Sequence, residues 1–214
     1  MEKLLILSLL LPFNLFSQKS YKSPNAYQKV ISHKSFAILP FDFKITGRVP
    51  NTINQFEYKE NVEIAEAEGG YSCQNLFASK ILKKLGRGKI IAQVQPVVRT
   101  NALLERAEIT SENISELLPE EICDILGVDG VIYGSVESNK ILSTGASIGL
   151  QFLGFDGIPT ASSNANLSLY DKEGELLWNW SSRRLQTNDF TGTEGLIRYL
   201  IRRATKKFPY FQRR

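Results

Sequence analysis

Apolar residues follow two regimes along the chain. The first is one short run at the start, Leu4-Leu5-Ile6-Leu7-Ser8-Leu9-Leu10-Leu11, followed by Pro12-Phe13-Asn14-Leu15-Phe16-Ser17. A membrane-spanning helix needs about 20 apolar residues, so this run is too short to cross a bilayer. It has the length of the apolar region of a secretory signal, with Lys3 as a thin basic start and small Ser17 before the cut. Residues 1–17 are expected to be a signal peptide, with Gln18 as the mature N-terminus. No cysteine stands at the cut, so the segment is not a lipoprotein signal. Residues 18–34 are polar and lack periodicity, and a flexible N-terminal arm is expected there.

The second regime begins at Ser35 and repeats an α/β pattern. Ser35 to Phe43 is a continuous apolar run, the signature of a strand buried on both faces, with Pro40 confined to an edge or bulge. Residues 44–69 are a polar insert with five Glu between 57 and 68, expected to be an exposed loop or short helix. Residues 70–85 carry Cys73, Leu76, Phe77, Ile81, Leu82 and Leu85 at spacings of three and four, which predicts an amphipathic helix stopped by Gly86. A short strand over 89–94 and a helix over 97–107 with Leu103 and Leu104 inward come next. Pro119 suits the first position of another helix, with Glu120 and Glu121 favouring its dipole, Ile122, Ile125 and Leu126 inward, and Gly127 at its end. Asp129 to Val136 is the clearest strand after the first.

Residues 161–170 and 175–184 flank the turn Asp171-Lys172-Glu173-Gly174 and predict an antiparallel hairpin. The last helix opens with the capping box Thr191-x-x-Glu194. Its inner face is Ile197, Leu200, Ile201, Ala204 and Phe208, and its outer face carries Arg198, Arg202, Lys206 and Lys207. The fold class is α/β (α+β), a mixed sheet of about five to six strands with three to four helices packed on it, in the order β-α-β-α-β-β-β-α. Residues 35–214 read as a single domain without repeats. Within it, 145–157 is a Gly-rich apolar hairpin or loop.

Composition agrees with a globular chain, 43% hydrophobic and 22% charged. The net charge of +4 is a modest basic excess, and removing residues 1–17 takes away one Glu and one Lys and leaves it unchanged. No later segment has 18 consecutive apolar residues, so no transmembrane helix is expected. Export argues against nucleic acid as a partner.

Candidate chemistry is sparse. Cys73 and Cys123 could form a disulfide in an oxidising compartment or serve as two buried thiols. Two cysteines and the single His33 do not complete a structural zinc site. Any nucleophile–histidine–acid arrangement would have to use His33, in the polar arm. Gly86-Arg87-Gly88-Lys89 lacks the spacing of a phosphate loop and reads as a turn. Trp178 and Trp180 share one strand face, as a stacking platform or as packing for the last helix. Asp42 and Asp129 lie near expected sheet ends, where a turn or cap role is the plain reading. Ile148, Leu150, Phe152 and Phe155 in the 145–157 segment are candidates for partner or membrane contact. Leu153 breaks the alternation that a barrel strand requires. No cofactor, metal or catalytic residue is assigned.

Phe36-Ala37-Ile38-Leu39-Pro40-Phe41, Leu126 to Val136 and Tyr170 to Trp178 together resemble the CsgG-like superfamily of bacterial envelope proteins. That group includes the periplasmic domain of the curli-secretion channel, LpoB-like activators of penicillin-binding proteins, and related lipoproteins. The resemblance runs in order over residues 35–208, and it implies binding, scaffolding or export work without an active site. The chain departs from the pattern in lacking the lipidated cysteine and two clear membrane hairpins. The signal ending Phe16-Ser17-Gln18 resembles those of exported proteins of the Bacteroidetes. The resulting expectation is an exported, non-enzymatic envelope protein of the periplasm or outer-membrane periphery, with envelope proteins or a second copy as partners; for 145–157 a plain sheet strand or exposed loop stands first, with a membrane- or partner-contacting hairpin as the alternative. The alternatives are a subunit of an export or pore assembly and, behind it, a hydrolytic enzyme.

Overall fold

The structure, a computed structural model, describes residues 20–46, 55–88, 92–110, 113–139, 162–182 and 192–211. Strand β5 (Gly130–Asn139) is the axis of the fold. Its run Val131-Ile132-Tyr133 has side chains for both faces, as a central strand requires. On one side β5 pairs antiparallel along its whole length with β6 (Ser162–Asp171), which pairs with β7 (Leu176–Ser181). On the other side it pairs parallel with two strands in succession, β2 (Ser35–Ile38) against its start and β3 (Asp42–Thr46) against its end. The seven-stranded mixed sheet is completed by β1 (Ser20–Lys22) on β7 and β4 (Gln93–Val94) on β2. The run expected as one strand over 35–43 is thus two strands broken at Leu39-Pro40-Phe41. Proline has no N–H to give a ladder, so the break falls where the ladder cannot continue.

Among the described residues five α-helices cover the sheet: α1 (Ala26–Ser32), α2 (Gln55–Leu85), α3 (Val97–Arg106), α4 (Pro119–Leu126) and α5 (Gly192–Thr205). A single turn of 3-10 helix (Ile114–Glu116) precedes α4. Alternation along β2 divides the core. Phe36 and Ile38 join the larger cluster with α1, α2 and α5, while Ala37 and Leu39 join the smaller one with α3 and α4. The mixed α/β class read from the pattern is the one observed, with the hairpin, α3, α4 and their turn residues in place. Gly127 ends α4 in the left-handed region at φ +64, as a C-terminal cap does.

Three local expectations are corrected. The arm over 18–34 contains β1 and α1. Ala26 and Val30 are fully buried, and Ser23 N–H donates to the Leu177 carbonyl at 3.0 Å. Two buried anchors are too few to give a periodic signal, and the remaining ties are hydrogen bonds and ion pairs. The insert over 44–69 is in its second part, from residue 55, the first half of the 31-residue α2. Its polarity is that of a helix touching the sheet along one narrow line, at Ala65, Gly69 and Gly70. A Cβ on Gly70 would lie 2.3 Å from the Phe41 carbonyl oxygen, so the helix backbone rests directly on the strand. On the helices themselves, Leu82 and Ile125 point outward, and Cys123 takes the inward place beside Ile122 and Leu126. The capping box at 191–194 and the strand residues 89–91 fall outside the described residues or side chains.

Candidate functional site

Helices α3 and α4 cover only the half of their sheet face that lies over Ala37, Leu39 and Val131. Past Tyr133 the same face turns polar. Alternation requires this, because the partners of these residues on the other face, Ile132, Val136, Leu167 and Leu169, are committed to the larger core. The strand register then lays the polar side chains in rows across the sheet. Asp42, Ser135, Asn166 and Ser181 form one row, and Lys44, Glu137 and Asn164 form the next. Three concavities open on this region, of about 810, 530 and 720 Å³, and Asp42 and Lys44 line all of them. The third lies between β3, α2 and α3.

The charges at this junction are tied together. Lys44 Nζ is 3.1 Å from Glu66 Oε2 and 3.9 Å from Asp42 Oδ1. The other Glu66 oxygen accepts the Ile45 N–H at 2.8 Å, so α2 caps the outer edge of β3 with a carboxylate. Such a cap blunts a strand edge that would otherwise be open to pairing. Farther across, Asn179 Nδ2 donates to Asn166 Oδ1 at 2.8 Å and to Ser168 Oγ at 2.9 Å. Amides, hydroxyls and compensated charges can hydrogen-bond a partner.

The strongly perturbed groups lie at the opposite end of β5. His33 follows α1 and is buried, with Nδ1 2.6 Å from the Tyr210 hydroxyl. Burial lowers its pKa against the opposing pull of Asp129 and Asp171. Burial also raises the Tyr210 pKa well above its ordinary value, so the phenol keeps its proton, and the imidazole tautomer sets which of the two partners donates. Asp129 Oδ2 accepts the N–H groups of Lys34 at 2.7 Å and Ser35 at 3.1 Å, which fixes the entry to β2. Asp171, fully buried, accepts from the Glu173 and Glu175 amides and pairs with Lys29, which also reaches Glu175 at 2.8 Å. Burial opposes the charge on Asp171, but Lys29 and the turn amides outweigh it and hold its pKa below the usual carboxylate value. This network closes the hairpin turn onto α1.

The candidate residues from the sequence do not converge. Cys73 lies in the larger cluster and Cys123 in the smaller one, on opposite faces of the sheet, and both are free thiols. A disulfide between them would have to cross the sheet, and both thiols are buried. Trp178 and Trp180 are buried, and Trp178 meets Phe208 edge-on at 5.7 Å. They are packing for the C-terminal segment and not a stacking platform. Ile148, Leu150, Phe152 and Phe155 lie outside the described residues. The polar face was not singled out in the sequence. The signal for it is the alternation of Asp42-Phe43-Lys44-Ile45-Thr46 and of Asn164-Ala165-Asn166-Leu167-Ser168-Leu169, which places every second residue opposite the core. Among the described residues no group of three His, Cys, Asp or Glu side chains is arranged to hold a metal ion, and no helix is long and apolar enough to cross a membrane.

No protein-family model matches the chain, and no curated protein matches it. Among solved structures, the chain is similar to the lipoprotein GNA1162 from Neisseria meningitidis at 16% identity and a TM-score of 0.44, covering 81% of this chain and 94% of that one. It is similar to a PelC dodecamer from Paraburkholderia phytofirmans at 14% identity and a TM-score of 0.42, covering 91% and 96%. It is also similar to the LpoB C-terminal domain from Salmonella enterica at 11% identity and a TM-score of 0.33, covering 72% and 83%. Likenesses at these levels define neither a family nor a function for this chain.

Proposed function

We propose that this protein is an exported, non-enzymatic component of the bacterial cell envelope that binds or assembles with other envelope proteins through the polar sheet face around Asp42 and Lys44. The observation that carries this reading is the convergence of three concavities on those two residues, over a face of amides, hydroxyls and paired charges left uncovered by the helices. The only histidine, the usual general base at neutral pH, is bound to Tyr210 at the other end of the sheet. Export is supported by the apolar run Leu4 to Leu11 with small Ser17 behind it.

The test is site-specific photocrosslinking in intact cells. A photoreactive residue at Asn166 reports on the polar face, and one at the exposed Lys172, on the hairpin turn, serves as control. Discrete adducts with envelope proteins from position 166, absent from 172 and recovered in the periplasmic or outer-membrane fraction, are the expected result. No adduct above the control from a folded protein overturns the binding reading. Cytoplasmic recovery of the uncut chain overturns export.

A further inference from the structure

Three segments close one face of the sheet. Ala26 and Val30 of α1, Cys73, Phe77 and Ile81 of α2, and Ile201 and Ala204 of α5 all belong to the larger core cluster. The segments that carry them, 20–34, 69–88 and 195–211, contain no Asp or Glu, so all 22 acidic residues of the chain lie elsewhere. On α2, Lys80, Lys83 and Lys84 follow the i, i+3, i+4 spacing of one stripe, and Arg87 stands in the turn just beyond. Lys84 Nζ lies 5.8 Å from the centroid of the Phe211 ring, past the end of α5, so this stripe flanks α5.

Arg202, Arg203 and Lys206 are exposed on and just after α5. Each of the two guanidinium groups lies 5.5 Å from the centroid of the Tyr199 ring, and Arg203 Nη1 donates to the Tyr199 hydroxyl at 2.7 Å. They are therefore held in place before any partner arrives, which lowers the ordering cost of binding. Lys83, Lys84, Arg87, Arg202, Arg203 and Lys206 make no ion pair among the described residues. A helix C-terminus carries only about −0.5 charge, which does not balance three cations on each of two helix ends. On the same side of the sheet α1 exposes Tyr27 and Ile31, 44% and 48% accessible and four residues apart on one stripe.

The combination selects the partner. A soluble anionic polymer rewards the cations alone. A phospholipid surface rewards both sets, the cations at its phosphates and the tyrosine and isoleucine among its headgroups, where amphipathic rings and apolar stripes settle. We propose that this face, centred on Arg202 and Arg203, rests on a membrane bearing anionic phospholipid. The polar rows through Asp42 and Ser135 lie on the opposite side of the sheet and stay free in that orientation. The inference goes beyond the function proposed above, since a chain that binds partners at Asn166 need not touch lipid.

The test is cosedimentation of the purified full chain with vesicles of phosphatidylcholine alone and with vesicles of phosphatidylcholine and phosphatidylglycerol in equal parts. The apolar run Leu4 to Leu11 is common to both arms, so the reading is the excess bound to the anionic vesicles. Exposed charges are screened over about 30 Å at ~0.01 M salt and about 3 Å at ~1 M, so the excess is expected at the low salt and lost at the high salt. Each cation near an anionic surface is worth about fivefold in partition, and R202Q/R203Q is expected to lower it roughly 25-fold with unchanged circular dichroism. R99Q/R106Q removes the same charge from exposed positions of α3, on the other side of the sheet, and is expected to bind as the wild type does. Y27S/I31S is expected to weaken binding to the anionic vesicles and to leave binding of soluble polyglutamate unchanged. No excess on anionic vesicles overturns the proposal, as does an equal loss in R202Q/R203Q and R99Q/R106Q. Y27S/I31S that binds the anionic vesicles as the wild type does overturns lipid in favour of a soluble polyanion.

Discussion

Tyr210 and His33 stand 177 residues apart in the chain and meet at 2.6 Å in the core. Tyr210 also stacks on Phe36 with ring centroids 4.3 Å apart and planes at 13°. One phenol therefore fastens the segment after the last helix to both the entry and the interior of β2. Tyr210→Phe keeps the stack and removes the hydroxyl, which takes from the buried imidazole nitrogen its hydrogen-bond partner. An orphaned buried polar group costs about 1–3 kcal/mol. Urea unfolding is expected to show a free energy of unfolding lower by that amount, read as a lower midpoint with an unchanged slope. A midpoint equal to the wild type would mean that water reaches His33 and the clasp is not closed.

The same histidine sets an acid limit. Burial depresses its pKa in the folded state, so the unfolded chain binds the proton first as pH falls. The stability involved is fully present above the unfolded value of about 6.5 and is lost as pH drops through the lower folded value. Asp171 is also held low, against its burial, by Lys29 and the turn amides, and Asp129, against its burial, by the Lys34 and Ser35 amides. Their contribution is lost only below the ordinary carboxylate value of 3.8. Thermal unfolding across this range is expected to fall in two separate steps, and His33→Gln is expected to flatten the upper one alone. A single step near the carboxylate range in the wild type would remove His33 from the account.

Lys29 carries a different load. It serves the buried Asp171 and the exposed Glu175 at once, from a side chain that is 30% exposed. Removing one partner of a fully buried pair costs about 3–5 kcal/mol, and partial exposure of the ammonium lowers the figure to about 2 kcal/mol for Lys29→Met. Asp171→Ala is expected to cost more, because it also strips the acceptor from the Glu173 and Glu175 amides. Denaturant midpoints of the two variants check the order. An equal effect would assign the whole network to the ion pair.

Much of the architecture was legible where a residue does one thing. The spacing of Cys73, Phe77 and Ile81, the apolar run through Val131 and Ile132, and the turn at Asp171 to Gly174 each report directly on local structure. The N-terminal piece was not legible, because Val30 and Ala26 are two anchors without a period and Lys29 acts through partners more than 140 residues away. The long α2 was half hidden, because Glu57 to Glu68 lie on a segment that only grazes the sheet. The polar face was written in the alternation of β3 and β6. Its meaning depends on which helices leave it uncovered, and that is a property of the packing, not of any one strand.

Gly70 tests the closeness of that grazing contact. A methyl group there would sit 2.3 Å from a backbone oxygen of β3's approach, at Phe41, where nothing flexible can yield. Gly70→Ala is expected to cost about 1–3 kcal/mol, as overpacking does. At Gly86, just past the end of the same helix, the nearest atom to an added Cβ is 3.6 Å away, an ordinary contact. Gly86→Ala is expected to be neutral or slightly stabilising, because alanine gives up less backbone freedom on folding. Calorimetric melting temperatures separate the two. Equal values would show that α2 lifts from the sheet without penalty.

The two cysteines offer a way to watch the halves of the core open independently. Burial pushes both thiols up to about 12, with nearby carboxylates adding to the effect at Cys123. At about pH 8 neither is a thiolate in the folded protein, and a thiol-specific reagent is expected to react only through opening. The openings differ. Cys123 lies on the eight-residue α4, over the smaller cluster, and is released when that helix detaches. Cys73 lies under α2 between the sheet and the larger cluster, and its release requires the main core to come apart. Local openings depend little on denaturant and global ones strongly. Labelling at Cys123 is therefore expected to be the faster and to change little at low urea. Labelling at Cys73 is expected to be slow and to accelerate along the urea dependence of global unfolding. Identical rates and slopes at both sites would mean that the sheet and its two layers of helices unfold as one unit.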